Sequence, residues 1–346
     1  MKRYQMNNLS NAIRDAIDAE NIELLDLIMA STPLITPGQD EYRRLPYRAG
    51  YVHDDNFLIR YASKFGYIDV VETFLGYRGI DPTARDNYAI RMASKNGYHG
   101  IVELLLDYPK VNPADRNNYA LIHAAKHGYL KVVELLLDDP RVNPADQDNM
   151  ALRFAAMYNH IDVVELLLLD DRVDPSAVDN AAIVWATYYG YSKMVKLLAS
   201  DSRVNLAARD NLIICYAAEY GNDKIVEYLL DDLCVDPSAQ DNYPLTWAAA
   251  NGHYRTVDLL IQHPMLCISE CEYDEIIANA VHDTDVVKLM QRTKQHIHFS
   301  GEKNDVYPKK KSFIKDLIGI MMNNDIPLTN LRFQFGDEKS FYSIEI

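Results

Sequence analysis

From Asp55 onward the chain repeats two short apolar stripes separated by a glycine. In the stretch from Asn117 to Gln147, Leu121, Ala124 and Ala125 share one helical face, which predicts a short helix with small residues where a neighbour can approach closely. Val132, Val133, Leu136 and Leu137 stand at i, i+1, i+4 and i+5, which predicts a second helix with one buried side; Glu134 and Asp138 fall off that stripe and are expected in solvent. Gly128 lies between the two and is expected to end the first helix in a left-handed conformation. Asp139-Pro140 closes the second helix, because proline holds the residue before it extended. Val142 reads as a small apolar anchor, and Asn143-Pro144-Ala145-Asp146 as a turn into the next unit.

The pattern has a period of 31 residues, marked by Asn56, Asn87, Asn118, Asn149, Asn180, Asn211 and Asn242. Each of these asparagines sits where a side-chain oxygen could cap the first helix, a contribution of about 1 kcal/mol. The glycine keeps the same spacing at Gly66, Gly97, Gly128, Gly190, Gly221 and Gly252, and its one substitute is Asn159, the residue type next most tolerant of left-handed backbone. Helix pairs this short cannot bury both faces alone, so their stability must come from stacking on neighbours.

The order Ala124-Ala125, Gly128, Val132-Val133-Glu134-Leu135-Leu136-Leu137, Val142-Asn143 resembles ankyrin repeats, and the likeness runs from about Asp55 to Cys271. That resemblance implies an all-α solenoid of helix–turn–helix units whose concave side, made by turn tips and the exposed edge of the first helices, binds partner proteins. The chain departs from the family in two ways. Tyr119-Ala120-Leu121-Ile122 replaces the usual Thr-Pro-Leu-His opening, and the unit falls about two residues short of the common length, so stubbier turn fingers are expected. The Asp-Asn and Arg-Val-Asn-Pro wording is similar to that of ankyrin proteins encoded by large DNA viruses of amoebae.

On this reading residues 1–54 form an N-terminal capping helix pair with a loop insert, 55–271 seven regular repeats, 272–290 a degenerate C-terminal repeat and 291–346 a non-repeat tail. The cap is Asn11 to Ala30, and Ser31 to Asp54, with Pro33, Pro37, Gly38 and Pro46, is a surface loop. In the degenerate unit Ile276, Ile277, Ala280, Val286, Val287 and Leu289 keep the apolar places. In the tail, Ser312 to Asn323 suits a helix, and Leu331 to Phe335 can pair with Ser340 to Ile346 as a hairpin. The tail is expected to cap the last repeat, with a separate small interaction element as the alternative.

Composition narrows the partners. A net charge of −15 over 346 residues argues against nucleic acid and anionic membrane and for a soluble monomer. No stretch approaches the ~18 apolar residues of a membrane span. Cys215, Cys234, Cys267 and Cys271 are too sparse for a disulfide framework, which points to a reducing, cytoplasmic setting. Lys309-Lys310-Lys311 is a weak nuclear-import candidate.

Tyrosine is the compositional oddity, at 24 residues against 2 tryptophans. Mapped on the expected concave side, Lys64, Lys95 and Lys126 with Arg85 and Arg116 make a basic ladder, and Met157, Tyr158, Tyr188, Tyr189 and Tyr220 an aromatic zone. Such residues suit interface anchors. An acidic segment of a partner is expected on the ladder and an apolar anchor among the tyrosines. The large residues Tyr61, Met92, His123, Phe154, Trp185, Tyr216 and Trp247 fall at a first-helix place expected to pack as core, with His123 a satisfied core histidine.

Catalytic and cofactor signatures do not emerge. The chain has no phosphate-binding glycine loop, no dinucleotide fingerprint and no His-Glu-x-x-His, so no enzyme activity and no cofactor are expected. His263, Cys267 and Cys271 are spaced at four, yet Pro264 interrupts a continuous helix, and free thiols are expected there instead of a metal site. A scaffold binding a partner protein is therefore the leading reading. The alternative is a substrate adaptor whose tail, through Phe313 to Ile318, recruits a ubiquitin ligase in the manner of some viral ankyrin proteins.

Overall fold

Each period folds into two short helices joined at the glycine, in a computed structural model that describes residues 56–76, 80–232, 234–280 and 284–297 with the backbone of 333–334 and 341–342. The chain divides into two compact units, Met1–Asp174 and Pro175–Ile346. In the first, the helix pairs are α1 (Phe57–Phe65) with α2 (Ile68–Leu75), α3 (Ala84–Lys95) with α4 (His99–Leu106), α5 (Asp115–His127) with α6 (Leu130–Leu137), and α7 (Asp146–Met157) with α8 (Ile161–Leu168). The second holds α9 (Ala177–Tyr188) with α10 (Ser192–Ala199), α11 (Ala208–Glu219) with α12 (Asp223–Leu230), α13 (Ala239–Ala250) with α14 (Tyr254–Gln262), and α15 (Glu270–Asn279) with α16 (Thr284–Thr293). Within each unit first helices pack on first helices and second on second, the all-α ankyrin-type solenoid stacking that the stripes require.

The apolar places form the core. Leu121, Ala124, Ala125, Val132, Val133, Leu136 and the anchor Val142 are buried, and Leu137 is half-buried at the edge of its stripe. Gly128 takes φ 75° and Asn159 φ 62°, both left-handed. A second constraint adds to the first. A Cβ on Gly66 would lie 2.6 Å from the ring of Tyr98, and one on Gly97 2.8 Å from that of Tyr129. The residue after each glycine turn thus lies under the glycine of the preceding period, and His160 from there donates Nε2–H to the Lys126 carbonyl (3.0 Å).

The asparagine marker is not an N-cap. Arg116, Asn117 and Asn118 all have φ near +55° in a left-handed turn ahead of the regular part of α5, and the Asn118 side chain makes no capping bond. Its Oδ1 accepts instead from the backbone N–H of Asn143 (3.0 Å), and its Nδ2 donates to Asp146 (2.8 Å). The bond to the N–H 25 residues on recurs from Asn56, Asn87, Asn149, Asn180 and Asn211. An asparagine that ties two periods together wins over one that satisfies a single helix end. Left-handed backbone also tolerates Asn and Asp better than most residues, and β-branched Val178 at φ 55° is the strained member of the set.

In the last pair, Ile276, Ala280, Val286 and Leu289 are buried. Helix α15 starts with a capping box between Ser269 and Glu272, and Tyr273 is fully buried with its hydroxyl donating to the Met290 carbonyl (3.1 Å). In the tail, β1 (Phe333–Gln334) pairs antiparallel with β2 (Phe341–Tyr342), inside the expected hairpin. The expected cap of 11–30, the loop of 31–54, Lys309–Lys311, the helix of 312–323 and the recruiting segment 313–318 lie outside the described residues.

Candidate functional site

First helices face outward at one recurring place, and that place carries the large residues expected in the core. Trp185 is 40% exposed and Trp247 42%, while Tyr61, Met92, His123, Phe154 and Tyr216 are half-buried. The reason is geometric. Small residues one and two places on, Ala followed by Ala, Ser or Thr, fill the space between neighbouring first helices, which leaves a bulky side chain at the rim. The cue was in the sequence, since a position that takes Met, His, Phe, Trp and Tyr in turn is not held at one packed volume.

In the first unit the chain's own cations lie over Phe154 and over rings next to this place. Lys64 Nζ lies 5.0 Å from the Phe65 ring centre, and Phe65 packs tilted against Tyr61 at 4.6 Å. Arg91 lies over Tyr88 (5.7 Å) and Tyr119 (5.3 Å), and Lys126 over Phe154 and Tyr158 (5.4 Å each). The basic ladder is therefore partly engaged: Lys126 joins the rings of the following period, Arg116 pairs with Asp86, and Lys95 is half-buried. Arg85 is exposed and Met157 half-buried at the end of α7. Tyr119, His123, His127 and Tyr129 form a chain of ring contacts beginning at 4.0 Å. His123 is not satisfied as expected. Its Nδ1 is buried without a partner, and burial, followed by Lys95 and Lys126, pushes its pKa down to about 4.

The second unit gathers Tyr188, Tyr189 and Tyr220 into one cluster and adds Trp185 and Tyr216. Tyr188 is the hub, edge-on to Tyr220 (4.7 Å), Tyr189 (5.0 Å), Trp185 (6.0 Å) and Tyr216 (6.1 Å). Trp185 stacks on Tyr189 (6.3 Å), which stacks on Tyr191 (5.7 Å). Trp185, Tyr188, Tyr189 and Tyr220 are all exposed. Beside them Glu219 accepts a hydrogen bond from the Tyr243 hydroxyl (2.8 Å), and burial together with that carboxylate pushes the Tyr243 pKa up to about 12. Edge-on pairs hold the rings without covering their outer faces, so the cluster is ordered and open at once.

Residues 58–148, 90–179 and 183–268 each match the family described as ankyrin repeats (3 copies), together more than half of the chain. The chain belongs to the ankyrin repeat family. Ankyrin repeats are scaffolds for protein–protein interaction, and the helix pairs above are such repeats. Among solved structures, the chain is similar to the ankyrin repeat domain of Bcl-3, a member of the IkappaB protein family, at 22% identity and a TM-score of 0.47 over 59% of this chain and 97% of that one. No curated protein matches the chain.

None of the four cysteines is in a disulfide, Cys215 is buried, and His263 donates Nε2–H to the Leu230 carbonyl (3.1 Å). Among the described residues no group of His, Cys, Asp or Glu is placed to hold a metal, and no helix is long and apolar enough to cross a membrane.

Proposed function

We propose that this ankyrin repeat protein binds a partner protein on the first-helix side of its repeats, with the Trp185, Tyr188, Tyr189 and Tyr220 cluster as the main contact of the second unit. The observation that carries the reading is the exposure of four large rings held in mutual contact, a surface that gains most by covering its open faces. In the first unit, Lys64, Lys95, Lys126, Arg85 and Arg116 are the residues on which an acidic segment of the partner lies, with Met157 and Tyr158 beside them. The likeness of the repeat wording to viral ankyrin proteins supports a narrower form, a viral protein that works as a cytoplasmic monomer on host proteins.

A photo-crosslinking residue in place of Tyr188, on α9, is expected to trap the partner in the native cell, and one in place of Lys193, on α10, is not. Crosslinking from position 193 alone overturns the reading. So does undiminished capture of the same partner by a folded variant carrying Tyr158→Ser, Tyr188→Ser and Tyr189→Ser.

A further inference from the structure

The two units treat their exposed rings differently. In the first, Lys64, Arg91 and Lys126 lie over Phe65, Tyr88, Tyr119, Phe154 and Tyr158 at 5.0–5.7 Å from the ring centres. In the second, among the described residues, no lysine or arginine lies over any ring of the Trp185–Tyr220 cluster. The nearest first-helix arginine in sequence, Arg209, is tied to Asp179 (2.9 Å), and the one cation–ring contact among the described residues of that unit, Lys196 over Tyr228, joins second helices. The group that does stand beside the cluster is an anion. Glu219 directly precedes Tyr220, and Tyr220 has its pKa raised, first by the Tyr188 hydroxyl and then by burial and by Glu219.

Open ring faces carry the negative end of the aromatic quadrupole, and a carboxylate adds to it. We infer that the Trp185, Tyr188, Tyr189 and Tyr220 cluster, with Glu219, receives an arginine or lysine side chain of a basic segment in the partner protein, supplying from outside the cation that the first unit supplies to its own rings. Charge complementarity selects this occupant over an apolar anchor. A leucine would cover the faces equally well but would leave the Glu219 carboxylate without a counter-charge. The chain's net charge of −15 favours the approach of such a segment.

This inference rests on the docking reading above but fails separately from it. Trp185 and Trp247 are the two tryptophans of the chain, so Trp247→Phe leaves Trp185, inside the cluster, as the sole tryptophan reporter. The full chain carrying that substitution is titrated with an acetylated (Arg-Gly)4 peptide and with its neutral isostere, (citrulline-Gly)4. The wild-type chain is titrated in parallel in case the variant does not fold. Saturable change in emission is expected with the arginine peptide at an affinity about ten-fold above the citrulline peptide, reduced about five-fold by Glu219→Gln. Equal response to both peptides, or to neither, overturns the cation assignment. The docking reading falls instead with retained partner capture by the tyrosine-to-serine variant.

Discussion

The backbone N–H of Cys267 donates to the Ser238 hydroxyl (2.6 Å), at the place where six earlier periods donate to an asparagine. Cys267 stands 25 residues beyond Asn242, so the bond that would close the seventh period has moved, and Asn242 Oδ1 is left buried without a partner. The tie between periods therefore works inside the array and lapses at its end, where Ser269 and Glu272 start the last pair by capping it.

Asn118→Ala is accordingly expected to destabilise by about 1–3 kcal/mol, because it strands the Asn143 N–H and removes a donor to Asp146. Asn242→Ala, whose oxygen makes no bond, is expected to cost less than about 1 kcal/mol. Urea unfolding of the two variants decides between a tie and a backbone preference. Equal losses would mean that the asparagine is there for its left-handed φ alone.

The glycine turn permits a paired comparison. Gly128→Ala places a Cβ at φ 75° against the ring of His160, and a loss of at least about 1 kcal/mol is expected. Asn159→Gly, at φ 62°, removes a left-handed penalty and is expected to stabilise by up to about 1 kcal/mol. Thermal midpoints that move the same way for both variants would refute this account.

Features set by one residue's local physics were legible in the sequence. The period, the two helices, the left-handed Gly128 and Asn159, and the core stripe around Val132 and Leu136 are of that kind. Asn118 was misplaced because a helix cap and a tie between periods both call for asparagine, and spacing alone does not separate them. Trp185 and Trp247 were assigned inward because first-helix periodicity marks a face, not the depth at which a bulky side chain leaves it. The capping box of Ser269 and Glu272 stands in the sequence as Ser-x-x-Glu, the usual signal for a helix start. Tyr188, Tyr189 and Tyr220 stand out in the sequence by residue type and place, but whether a cation of this chain covers their rings is decided only by side-chain positions.

Buried hydroxyls offer a third test. Ser94 occupies the place held by Ala125, Ala156, Ala218 and Ala249 in other periods, and its Oγ is buried without a partner. Ser94→Ala removes the unmet group without emptying the site and is expected to stabilise by about 1 kcal/mol. Thr187→Ala at the equivalent place also deletes a packed methyl, so its effect is expected to fall near zero. Urea midpoints that drop in Ser94→Ala would show that the hydroxyl is satisfied in solution.

His123 links the surface to pH. Its ring rests on Tyr119 (4.0 Å) with Nδ1 buried and unpartnered, and burial, then Lys95, Lys126 and His127, lowers its pKa from 6.5 to about 4. Because the folded value lies below the unfolded one, the unfolded chain binds the extra proton between those limits. The contribution of His123 to stability is thus present above pH 6.5 and lost as pH falls toward 4. His127 and His263 shift in the same direction, whereas Asp139, Asp170 and Asp201, held low by Arg141, Arg172 and Arg203, lose their contribution mainly at more acid pH. His123→Phe takes the residue type that Phe154 already shows at this place and removes the titrating group. Between pH 6.5 and 4.5 it is expected to lose on the order of 1 kcal/mol less stability than the wild type, the effect being softened by the ring's partial exposure. Urea unfolding of both chains across that range checks it. Parallel declines would place the acid sensitivity elsewhere, with His127 and His263 next in line.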